Sequence, residues 1–206
     1  MRFSITTLVS AAVLLVGLVG RPAGAGTVLT LSDLSSDETS AEELDATLLF
    51  SVLGDELTLA ITNDTPEAGG FDIDAVYFNV TSNITGLQLV PPVSGWTLFP
   101  NESADGFGTF DFAIITDLGN DPGEIASGES LSFTFDVIGS GPFVETDFTT
   151  EFSEVPPGEN PALAAAKFVN GTSDDSAFGA VIPEPGSALL TLIGVGAVGW
   201  IKRRTK

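Results

Sequence analysis

Between positions 26 and 182 the apolar residues come in short alternating runs, and each run stops at Gly, Pro, Asn or Asp. Alternation with a period of two sends successive side chains to opposite faces of an extended chain, so such runs make strands with one dry and one wet face. Leu131, Phe133, Phe135 and Val137 point one way, while Ser132, Thr134 and Asp136 point the other. That is the pattern of an antiparallel sheet covering a core on one side. The runs 47–53 and 56–62 flank Gly54-Asp55 and are expected to form a hairpin on a two-residue turn. Further strands are expected over 75–80, 84–90, 96–99, 107–115, 131–138 and 148–152, with Pro91-Pro92 stopping one of them because proline cannot donate to a ladder. About eight strands at this spacing predict an all-β fold, a single antiparallel β-sandwich over 26–169 with two packed sheets and an immunoglobulin-like or cohesin-like outline. The stretch 161–169, with its Ala-Leu-Ala-Ala-Ala, reads either as a short helix or as a strand edge. The Gly-, Ser- and Asp-rich stretch 170–182 reads as a linker.

Charge is distributed unevenly along the chain. Of its 28 acidic residues only Glu184 lies outside 26–182, and of its seven basic residues only Lys167 lies inside. The body is therefore more negative than the −21 of the whole chain. Such a surface repels nucleic-acid phosphates and anionic lipid, and it repels itself unless ions screen it. Solubility in a salty exterior and specific calcium binding both account for it. The chain has no cysteine and no histidine. Thiolate nucleophiles, Cys/His zinc sites and Ser-His-Asp triads are thereby excluded, and absence of cysteine suits an exported domain held by its core alone.

The two ends read as trafficking signals. Arg2, an apolar run over 5–19 and then Arg21-Pro22-Ala23-Gly24-Ala25 describe a signal peptide over 1–25 for the Sec machinery. The small residues Ala23 and Ala25 mark a signal peptidase site, with cleavage after Ala25. An uncleaved anchor helix is the alternative, disfavoured by the shortness of the run and by Pro22. At the other end Pro183-Glu184-Pro185 is followed by an uncharged segment, 187–201, and by the basic cluster Lys202, Arg203, Arg204 and Lys206. As a transmembrane helix 187–201 spans about 22 Å, short of a hydrocarbon core of about 30 Å, with Trp200 and Lys202 extending its reach at the interface. Basic residues stay cytoplasmic, so this helix anchors the inner membrane with the acidic body outside.

The ordered combination of Pro183-Glu184-Pro185, a glycine-containing apolar segment and an Arg-rich end resembles the PEP-CTERM sorting signal of Gram-negative bacteria. The resemblance covers 183–206 and is silent on the fold of the body. Gly186 departs from it slightly, since serine or alanine is frequent there. It implies processing by an exosortase near Pro183-Glu184-Pro185, and an exported surface or matrix protein associated with exopolysaccharide or biofilm. A plain C-terminal anchor is the competing reading of the same topology.

Within the body the candidates for chemistry are few. Asp117, Asn120, Asp121 and Glu124 lie in one acidic loop with glycines and offer oxygens of the kind calcium takes, at a spacing that is not the EF-hand's. A solvated turn explains the same residues. Asp72 and Asp74 alternate onto one face of a strand start. Among so many carboxylates some pair will always satisfy a glycosidase's spacing, so a polysaccharide hydrolase gains no support from them. Lys167 reads as an ion-pair partner or surface charge before it reads as a general base. Tyr77, Trp96, Phe99, Phe107 and Phe110 are candidates for a sugar-stacking platform, with core packing as the default and Trp96 as the residue to test for exposure. The chemistry points to a non-catalytic surface protein needing no cofactor, with a calcium- or carbohydrate-binding module as the alternative.

Overall fold

The computed structural model describes residues 26–32, 44–68, 70–116, 123–157, 160–171 and 176–182. Ten strands run through them: β1 (Thr27–Ser32), β2 (Asp45–Leu53), β3 (Glu56–Asn63), β4 (Asp72–Phe78), β5 (Ile84–Leu89), β6 (Trp96–Ala104), β7 (Gly108–Thr116), β8 (Ser130–Gly139), β9 (Ala164–Val169) and β10 (Ala177–Ala180). Every paired neighbour is antiparallel, in the order β5-β8-β3-β2-β1-β10-β9-β4-β7-β6. The fold is all-β, as the alternation predicts. It differs from the expected pair of sheets in one respect. Ser32 of β1 pairs with Ala180 of β10, and this junction makes the two halves one continuous sheet.

The sheet curls until its halves face each other over a shared core. Phe50 of β2 meets Phe78 of β4 edge-on at 5.8 Å, and Trp96 of β6 meets Phe133 of β8 at 5.1 Å. Phe78 also reaches Phe135, at 6.3 Å. Leu31, Leu48, Leu57, Leu59 and Ile61 are fully buried among these rings. Each such side chain contributes about 1.5–3 kcal/mol through burial, so packing across the halves is the main source of stability. The β2–β3 hairpin turns at Gly54-Asp55 as expected, with Gly54 at φ 67°. In β8, Phe133, Phe135 and Val137 are buried and Ser132 and Asp136 exposed, which is the predicted alternation.

Three local expectations are corrected. The stretch 161–169 holds β9, a strand inside the sheet between β10 and β4. Ala164 and Ala166 join the main core, while Ala165 packs on the other face with Ala75, Tyr77, Phe110 and Ala113. A strand buried on both faces shows no alternation, and its run of alanines mimics a helix. The stretch 170–182, read as a linker, carries β10. The stretch 148–152 is not a strand. Glu145–Phe148 form a 3-10 turn that stacks Phe148 on Phe50 at 6.4 Å. Among the described residues no helix is long and apolar enough to cross a membrane. The expected signal peptide (1–25) and transmembrane helix (187–201) lie outside the described residues.

Candidate functional site

Asp72, Asp74, Glu124 and Lys167 come together where β4 starts beside the end of β9. The register of that pair slips: Ile73 faces Phe168, Ala75 faces Lys167, and Asp74 is the extra residue between them. Such a bulge re-aims a side chain. Asp74 Oδ2 accepts a hydrogen bond from Lys167 Nζ at 2.9 Å, with 33% of the Lys167 side chain and 16% of the Asp74 side chain exposed. The other oxygen, Oδ1, is buried and has no hydrogen-bond partner among the described residues. Lys167 itself sits in register between Ala75 of β4 and Phe178 of β10.

A second set of bonds brings Glu124 to the same place. Ile125 forms an isolated bridge to Ile73, with N–H···O distances of 3.0 Å in both directions. Asn170, in the left-handed region at φ 61°, follows β9 and turns its amide back. Its Nδ2 donates to Glu124 Oε2 at 2.5 Å and to Asp72 Oδ2 at 3.2 Å. Asp74 thus pairs with Lys167, while Asp72 and Glu124 share the Asn170 amide. Burial raises the Asp74 carboxyl above its ordinary range, although the Lys167 hydrogen bond and charge pull the other way. Burial and then the charge of Asp72 raise Glu124, with the Asn170 bond opposing. Burial also pushes the Tyr77 phenol up to about 12, helped by the charges of Asp74 and Glu102.

Of the calcium candidates, Asp117, Asn120 and Asp121 lie outside the described residues. Glu124 Oε2 accepts a hydrogen bond from the Asn170 amide, which also donates to Asp72. Among the described residues no group of three or more acidic side chains is placed to hold a metal ion. Pro183, Glu184, Pro185, Lys202, Arg203, Arg204 and Lys206 lie outside the described residues, as do Ala23 and Ala25.

The five candidate aromatics do not make a platform. Trp96 is only 4% exposed, and its indole N–H is used on the Gly123 carbonyl at 2.7 Å. Tyr77, Phe107 and Phe110 are buried, and Phe99 is half-buried. An exposed ring is found elsewhere. Phe152 lines a polar cleft of about 450 Å³ with Asn79, Asn101, Asp111, Glu151 and Glu154. A neighbouring cleft of about 460 Å³ opens between the unpaired ends of the sheet, where Gly86 and Leu87 of β5 approach Leu98 and Pro100 of β6. Asp111 has a holding task in these clefts. Its Oδ2 accepts the Val80 N–H at 2.9 Å while its own N–H donates to Asn79 Oδ1 at 3.1 Å.

Sequence reasoning missed Asn170 as the residue joining the carboxylates and Phe152 as the exposed ring. Asn170-Gly171 directly after an apolar run was the available signal for a left-handed corner. Nothing distinguished Phe152 from the chain's other phenylalanines. No protein-family model, curated protein or solved structure matches the chain.

Proposed function

We propose that this is an exported, non-catalytic surface or extracellular-matrix protein whose tail is a sorting signal processed by an exosortase. The observation that carries this reading is the three-part order Pro183-Glu184-Pro185, uncharged 187–201, then Lys202, Arg203, Arg204 and Lys206. Hydropathy and charge support an inner-membrane helix with its basic end inside and the acidic body outside. A signal peptide over 1–25, cut by signal peptidase after Ala25, supplies entry to the Sec route. On this reading the body is a sandwich of immunoglobulin-like or cohesin-like outline, released to the cell surface and associated with exopolysaccharide.

The test is intact-mass analysis of protein recovered from the cell surface. The expected product begins at Gly26 and ends near Pro185, and it keeps its full C-terminus when the exosortase is deleted. A surface protein that ends at Lys206 whether or not that enzyme is present would refute the sorting assignment.

A further inference from the structure

The pairing of Lys167 with Asp74 has features that an ordinary surface ion pair lacks. Lys167 is the one lysine between 26 and 182, and it lies in an interior strand. A bulge gives up a regular ladder position in β4, and the displaced residue is the one that meets Nζ at 2.9 Å. Asp74 Oδ1 is buried and makes no hydrogen bond among the described residues. The Ile73–Ile125 bridge sets residue 124 next to residue 74, and Asn170 holds the Glu124 carboxylate. We propose that Lys167 and Asp74 become joined after folding by an intramolecular amide bond from Nζ to Cγ, with Glu124 as the proton carrier. The proposal is independent of how the tail is read.

The chemistry balances within these three side chains. In the ion pair a proton passes from the ammonium to the carboxylate, leaving an amine and a carboxylic acid. The desolvation that raises Asp74 favours this neutral form. The Nζ lone pair then attacks Cγ, and the carbonyl electrons move to oxygen. Glu124 takes a second proton from Nζ and delivers it to the Asp74 hydroxyl, and that C–O bond breaks as water leaves. The oxyanion collapses to a carbonyl, and Glu124 returns to its starting state. Ammonium plus carboxylate has become a secondary amide plus water, with no oxidant or reductant involved. Glu124 is suited to the relay by position, because the antiparallel Ile73–Ile125 bridge sets residue 124 next to residue 74 on the neighbouring segment. As an ion pair the site keeps an unpaired carboxylate oxygen in the protein interior, whereas as an amide it carries no formal charge there.

The experiment is mass spectrometry on the purified full chain, with its termini mapped. The wild-type protein is expected to be one water lighter than its sequence, and fragmentation should yield a branched peptide joining Asp74 and Lys167. Trypsin acting on the denatured protein should leave the bond after Lys167 uncut. Asp74→Asn should lose ammonia in place of water, Lys167→Arg should keep its full mass, and Glu124→Gln should form the link at least about tenfold more slowly. A wild-type chain of full mass, cut by trypsin after Lys167, overturns the proposal, as does a water loss mapped to another residue. An unchanged rate in Glu124→Gln overturns the role given to that carboxyl. The wild-type measurement decides the main point even where a variant fails to fold.

Discussion

Asn63 shows how much a single buried polar side chain holds in place. It ends β3 with no exposure, and its Nδ2 donates to the carbonyls of Phe71 at 2.8 Å and Ile125 at 2.9 Å. Its Oδ1 accepts the Thr65 N–H at 3.2 Å. The residue thereby ties the β3–β4 connection to the segment that carries Glu124. Asn63→Ala leaves two carbonyls and an N–H without that partner, each in a dry place. A loss of about 2–4 kcal/mol in unfolding free energy is expected, read from urea denaturation. A loss below about 0.5 kcal/mol would show that water reaches those groups. Asn63 is also the first residue of an Asn-x-Thr triplet. Its side chain is wholly committed inside the fold, and sequence pattern alone had no means of showing that.

At the scale of strands, what was legible and what was hidden divide by burial. The segments with one wet face were read correctly: β8 by its alternation, and β2 with β3 by alternation and a turn. The segments passed over or misread, β1, β9 and β10, are consecutive in the sheet and join its halves. Their physics explains the failure. β9 is buried on both sides, β10 is four residues long, and the apolar run of β1 follows directly on the stretch 1–25 expected to be a signal peptide. Glu124 was named for calcium from its loop, yet its amide partner lies 46 residues away, a distance no local pattern spans. The junction depends on Gly179, where an added Cβ would stand 2.9 Å from the Ser32 carbonyl oxygen and 3.0 Å from the Phe168 ring. Gly179→Ala is therefore expected to cost about 1–3 kcal/mol by forcing β1 and β10 apart. Calorimetry checks this, and an unchanged melting temperature would show that the halves do not need their hydrogen-bonded junction.

For the whole molecule, electrostatics works against compactness at neutral pH. The body's carboxylates face only one lysine, and that lysine is already paired. Screening falls off over about 10 Å at 0.1 M salt, so added salt relieves repulsion between exposed charges. Acid has the same direction of effect at specific groups. Glu124 is raised in the folded state, so that state holds its proton more tightly than the unfolded chain does. Stability from this group is present at low pH and is lost as pH rises through the folded value. The melting temperature is expected to increase from pH 7.5 to about pH 5, and at pH 7.5 to increase with sodium chloride. Thermal scans at matched ionic strength in sodium and calcium chloride check both. A fall toward pH 5 would contradict the assignment, and a rise with calcium beyond that with sodium would identify a site for that ion.

The meeting of Ser32 with Ala180 sets a limit on when this chain can mature. Because the first described strand is sewn to the last, a polypeptide emerging from its N-terminus cannot close this sheet until residue 180 has arrived. Such long-range closure makes folding slow. Until then local hairpins such as β2–β3 can form, but the seam between the two halves stays open.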